Sequence, residues 1–84
     1  MKEIILQGNM LVDAESAHSY LAEELDFPEY YGRNLDALYD CLTDLRDIKI
    51  KIEVNGNENA YLIHILQVFE DASEENDDIE VYII

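Results

Sequence analysis

Apolar and polar positions along the chain recur at two periods, two residues and about 3.6 residues, and the changes of period divide it into elements. Residues 3–7, EIILQ, are a short β-branched run closed by Gly8-Asn9, which predicts a first strand. Asp13 is placed to cap a helix in which Ala14, Ala17, Leu21 and Leu25 follow one another at the spacing of a single buried face, and Pro28 prevents that helix from continuing. His18 and Tyr20 lie beside this face and read as edge-of-core residues rather than ligands. Gly32, which tolerates positive φ, is expected to make the next turn. Asn34 is then expected to cap a second helix beginning at about Leu35. At about 100° per residue, Leu35, Leu38, Cys41, Leu42 and Leu45 share one third of that helix, while Asp36, Tyr39, Asp40 and Thr43 crowd an adjacent arc.

The sequence IKIKIEV, residues 48–54, alternates strictly, with Ile48, Ile50, Ile52 and Val54 on one face and Lys49, Lys51 and Glu53 on the other, as in a strand with one wet face. Asn55-Gly56-Asn57 has the composition of a tight hairpin. The segment that follows nevertheless sets Leu62, Ile65, Leu66, Phe69 and Ala72 at helical spacing, so a loop and a third helix over about 59–75 are expected. DIEVYII predicts a last strand with Ile79, Val81 and Ile83 on one side. The order β, α, α, β, α, β requires crossover connections and hence parallel pairing. The expected fold is a two-layer α/β domain over residues 1–84, three parallel strands packed against helices.

Composition narrows the function classes. Twenty Asp and Glu against five Lys and Arg give a net charge of −15, a field that repels nucleic acid and anionic membranes and draws in basic partners. A hydrophobic content of 49% still supports a packed core. The first residues lack the apolar run of a signal peptide and no apolar stretch approaches 20 residues, so a cytoplasmic protein is expected. Cys41 is the only cysteine, which leaves no internal disulfide or cysteine-based zinc cluster; a catalytic thiol with His18 or His64 as base is weaker than a small-hydrophobe reading.

The acids of the second helix are the unusual feature. Asp36, Asp40 and Asp44 stand four residues apart with no basic residue among them, and like charges at that spacing cost roughly 0.2–0.5 kcal/mol per pair in a helix. Tyr30, Tyr31 and Tyr39 accompany them, and exposed aromatics beside fixed charges are the composition of a binding hot spot. Glu70, Asp71, Glu74 and Glu75 repeat the oddity at the negative end of the third helix, where a merely solvated surface is an equal reading.

The stretch FPEYYGRNLDALYDCLT, residues 27–43, and LQVFEDA, residues 66–72, resemble the barstar family of intracellular ribonuclease inhibitors, and the likeness extends over essentially the whole chain. The resemblance implies a two-layer fold with three parallel strands and a protein ligand, without cofactor or metal. It implies that residues 34–43, from Asn34 to Thr43, and the loop before them plug a nuclease active site. By position, Asp40 would meet the catalytic His and Arg side chains as a phosphate mimic, Asp36 would pair with basic groups at the mouth, and Tyr30 would pack on the catalytic histidine. Tyr39 and Leu45 occupy positions held by tryptophan in the family pattern, Asp44 that of a glycine, and Asp71 that of an outlying glutamate. The implied partner is a basic secreted or toxin ribonuclease, barnase-like, bound one to one, with no direct contact to nucleic acid or membrane. The shorter link between the second strand and the last helix implies the loss of one small helix.

Rival readings are a hydrolase using paired acids, a carboxylate metal site and a non-inhibitory binding module. The chain has no Gly-rich loop and no D-x-[DN]-x-[DN]-G calcium loop, which disfavours the first two.

Overall fold

A computed structural model describes residues 2–56 and 59–84. Its elements run β1 (Lys2–Gln7), a 3₁₀ turn (Gly8–Met10), α1 (Ala14–Glu24), α2 (Leu35–Thr43), β2 (Ile48–Glu53), α3 (Ala60–Glu75) and β3 (Ile79–Ile83). The strands form one sheet in the order β1-β2-β3, and both pairings are parallel. The α/β class, the parallel sheet and the helix positions therefore agree with the expectation. Asn57 of the expected turn lies outside the described residues; Asn55 and Gly56 both take positive φ, 50° and 75°, and lead towards α3 rather than into a hairpin.

Register explains the two layers. Ile4 pairs with Ile50 and Ile50 with Val81, and Leu6 pairs with Ile52, which makes apolar rows on one face. Leu6, Ile50 and Ile52 are fully buried there against Leu38, Leu42, Leu62, Ile65 and Phe69 of α2 and α3. Burying each such side chain stabilises the fold by roughly 1.5–3 kcal/mol. The opposite face carries Glu3, Lys49 and Glu80 in one row and Ile5, Lys51 and Tyr82 in the next. On this face Lys51 Nζ lies 2.8 Å from Glu3 Oε1, and Lys49 Nζ stands 5.7 Å from the Tyr82 ring centre. Gly8 is required where the chain leaves β1, because a Cβ there would stand 2.6 Å from the Glu53 carbonyl oxygen.

Ile79, Val81 and Ile83 lie on one side of β3 as expected, in register with Ile48, Ile50 and Ile52, and Ile83 at the strand's end is 39% exposed. Two local expectations are corrected. Ala14 begins α1 but is exposed, since the helix turns its buried face inward only from Ala17. Gly32 does not have positive φ; Arg33 does, at 55°, stabilised by a 2.7 Å hydrogen bond from its Nη1 to Ser19 Oγ of α1. Gly32 has a packing reason instead, because a Cβ would lie 3.2 Å from that of Ala37.

Candidate protein-binding site

The loop between α1 and α2 is fixed by one tyrosine and exposes the next. Tyr31 N–H donates to the Pro28 carbonyl at 2.9 Å, turning the chain so that the Tyr31 ring packs 4.8 Å from Phe27 and is 7% exposed. Its hydroxyl lies 2.5 Å from Nδ1 of His18, whose Nε2 lies 2.6 Å from the Tyr61 hydroxyl of α3. Tyr30 consequently points outward and is 88% exposed. Tyr31 is therefore a core anchor and not the exposed aromatic that composition suggested.

A neutral imidazole offers one donor and one acceptor, so one tyrosine donates to His18 and the other accepts. Burial first, and the Arg33 charge second, hold the His18 imidazole below its ordinary value of 6.5. The folded state then favours the neutral ring, and the associated stability is present above the unfolded value and lost as pH falls below about 6.5. Thermal unfolding of the wild type against His18→Gln should show this: the wild type's midpoint should fall relative to the variant's between pH 7.5 and 5.5, and a constant difference would contradict it.

Asn34 Oδ1 accepts from Ala37 N–H at 2.8 Å and caps α2 as expected. Leu38 and Leu42 anchor the helix in the core, which turns Asp36, Asp40 and Asp44 outward. None of the three has an ion-pair partner among the described residues, where Arg46 pairs with Asp78 at 3.4 Å and Lys51 with Glu3. A cleft of about 290 Å³ separates the loop from the second half of α2 and is lined by Tyr30, Asp40, Asp44 and Leu45 together with Asp26 and Cys41. A larger one, about 360 Å³, lies beside α1 around Ser19, Glu23 and Arg33 and contains none of the expected site residues.

Tyr39 lies on the other side of the acidic line, towards α3. Its hydroxyl is pushed up, by burial first and then by Glu75, Asp71 and Asp40, so the acids of α2 and α3 act on one ring. Asp71 itself is exposed and accepts from Gln67 Nε2 at 3.0 Å. Thr43 is half-buried, and its hydroxyl donates to the Asp40 carbonyl at 2.9 Å rather than standing free. Burial, followed by Asp44 and Asp40, raises the Cys41 thiol, which keeps it protonated and accords with a small hydrophobe.

The structure thus gathers Tyr30, Asp40, Asp44 and Leu45 around one cleft, places Tyr39 and Asp71 on its α3 side, and leaves Asn34 and Asp36 at the opposite end of α2. Among the described residues no group of three or more His, Cys, Asp or Glu side chains is arranged to hold a metal ion, and no helix is long and apolar enough to cross a membrane.

A family model described as Barstar (barnase inhibitor) matches residues 1–84. The chain belongs to the barstar family. A Bacillus subtilis (strain 168) protein named "Putative ribonuclease inhibitor YrdF" is 40% identical over 81 aligned positions, covering 89% of each chain. Barstar-family proteins are inhibitors, and this chain is accordingly not an enzyme.

Sequence reasoning missed Asn76. It is 8% exposed, and its Nδ2 lies 3.2, 3.1 and 2.8 Å from the carbonyl oxygens of Leu42, Thr43 and Leu45 at the end of α2. The only sequence signal was a polar residue just beyond an apolar helical repeat, which reads equally well as a turn.

The exposed acid at Asp44 sits on the negative end of α2, where a carboxylate costs about 0.3–1 kcal/mol. Asp44→Asn should therefore leave the thermal midpoint unchanged or raise it by a few degrees. A clear fall in a calorimetric scan would show an intramolecular role for this carboxylate.

Proposed function

We propose that this barstar-family protein inhibits a basic ribonuclease by presenting α2 and the loop before it to the enzyme's active-site cleft. The family and the B. subtilis relative's name support ribonuclease inhibition. The observation that carries the blocking mode is the row Asp36, Asp40 and Asp44, exposed, without basic partners among the described residues, beside the 88% exposed Tyr30.

Carboxylates on successive turns are roughly 6 Å apart along the axis, a spacing suited to a cleft that receives successive RNA phosphates. Arginines in such a cleft would pair with them bidentately. Asp40 would meet the catalytic cations and Asp36 those at the mouth. Tyr30 would stack on a catalytic imidazole, while Tyr39, Thr43, Asp44, Leu45 and Asp71 would form the surrounding contact and Asn34 would hold the helix start. The self-repulsion of the row is tolerated because its countercharges belong to another molecule. In this reading residues 1–84 act as one domain in the cytoplasm and protect the cell from its own secreted ribonuclease or from a delivered toxin.

Titrating a basic microbial ribonuclease such as barnase with the protein tests this. The expected result is loss of RNA cleavage with a one-to-one endpoint. If neither barnase nor a panel of basic bacterial ribonucleases is inhibited or bound, the fold serves instead as a binding module for a non-nuclease basic partner.

A further inference from the structure

The end of α2 poses an accounting problem, because a helix leaves its last four carbonyls without partners inside the helix. Here they are those of Asp40, Cys41, Leu42 and Thr43. Asp40 O accepts from the Thr43 hydroxyl at 2.9 Å, and Cys41 O accepts from Asp44 N–H at 3.2 Å. Leu42 O accepts from Leu45 N–H at 3.2 Å and from Asn76 Nδ2, and Thr43 O accepts from Asn76 Nδ2 and Arg46 Nη1. Leu45 O, two residues on, again receives Asn76 Nδ2 and Arg46 Nη1, at 2.8 and 2.9 Å. One buried amide thus gathers three carbonyls at and just beyond the end of α2, 31 to 34 residues earlier in the chain. Its Oδ1 meanwhile accepts from Asp78 N–H at 3.0 Å and ties the same side chain to the turn into β3.

Two residues of the segment held in this way, Asp44 and Leu45, line the cleft opposite Tyr30. Thr43, Asp44 and Leu45 are three consecutive residues whose backbone is bonded to Asn76 on both sides of Asp44. Like-charge repulsion among the acids and the unfavourable dipole both drive this end of α2 to fray. An amide with two protons, seated beneath the carbonyls, opposes the fraying with no charge of its own, while the Arg46 guanidinium that shares two of these carbonyls is paired with Asp78 at 3.4 Å.

We propose that Asn76 is a positioning residue of the partner-binding surface: by holding the last turn of α2 it sets where Thr43, Asp44 and Leu45 stand towards the partner. This rests on the reading of α2 as the surface that meets a ribonuclease, although its first test does not. Asn76→Asp keeps the acceptor for Asp78 N–H and removes the donors to α2, whereas Asn76→Ala removes both.

Amide hydrogen exchange of the free proteins, followed residue by residue, should be roughly tenfold faster at Asp44 and Leu45 in Asn76→Ala and at least as fast in Asn76→Asp, with β2 amides at the wild-type rate. Exchange that is unchanged at Asp44 and Leu45, or raised uniformly along the chain, overturns the proposal. Dissociation from the ribonuclease that the wild type inhibits should also be several-fold faster in Asn76→Ala. That effect should shrink in an Asp44→Ala background and persist in Asp36→Ala, the signature of local coupling rather than general loss of stability. A wild type that binds no ribonuclease removes the proposed function and leaves the exchange result to decide on Asn76. A wild type that binds, with both Asn76 variants dissociating at its own rate, overturns the positioning role while the proposed function stands.

Discussion

Replacing Asp40 with alanine should weaken ribonuclease inhibition more than any other single change on the surface, by about 2–5 kcal/mol, or some thirtyfold to several thousandfold in Kd. Asp40 is the middle carboxylate of the row and is the acid whose charge reaches both sides of it, acting on Tyr39 towards α3 and on Cys41 towards the cleft. A central charge is the one most completely desolvated when a partner docks, and removing it strands the facing cations without a counterion. Most of the loss should appear as faster dissociation. The free protein should keep its fold, because the Asp40 side chain has no ion-pair partner among the described residues and Leu38 and Leu42 hold the helix independently of it. Inhibition within twofold of wild type, in a variant with an unchanged thermal midpoint, would remove Asp40 from the centre of the interface.

Salt should separate encounter from retention. The net charge of −15 attracts a basic enzyme well before contact, and ionic screening shortens that reach to about 8 Å at physiological ionic strength. Five basic side chains do little to offset it, and two of them, Lys49 and Lys51, lie in β2 on the outer face of the sheet, away from α2. Between roughly 0.05 and 0.5 M salt the association rate constant should fall by about 10- to 100-fold. Pairs formed by Asp36 and Asp40 inside the complex exclude ions, so dissociation should change only a few-fold. Stopped-flow association and a dissociation chase measure the two separately, and an association rate that is flat across this range would mean that the acidic face steers nothing.

The sequence carried the elements whose physics is local. Strict alternation over residues 48–54 marks β2, Asp13 and Asn34 mark the helix starts with their own side-chain oxygens, and the leucines of α2 place its acids outward by period alone. Pairs far apart in the chain left no such mark. His18 meets Tyr61 across 43 positions, and without that contact Tyr31 could not be distinguished from Tyr30, its exposed neighbour. Asn76 likewise acts on carbonyls more than thirty positions away, and backbone acceptors have no sequence identity to recognise. The positive φ moved from Gly32 to Arg33 because a side-chain bond to Ser19, on another element, and the close approach of Ala37 decide the turn together. The acidic row was legible; the buried groups that set its position were not.

In the proposed mode of inhibition α2 occupies the place of RNA phosphates in the enzyme. The direct measurement is the rate at which the protein associates with a basic ribonuclease as a non-cleavable RNA dinucleotide analogue, bound in the active site, is added at increasing concentration. The association rate should fall in proportion to the fraction of enzyme left unoccupied, with dissociation unaffected. An association rate independent of the analogue, with a ternary complex of enzyme, analogue and inhibitor, would contradict it.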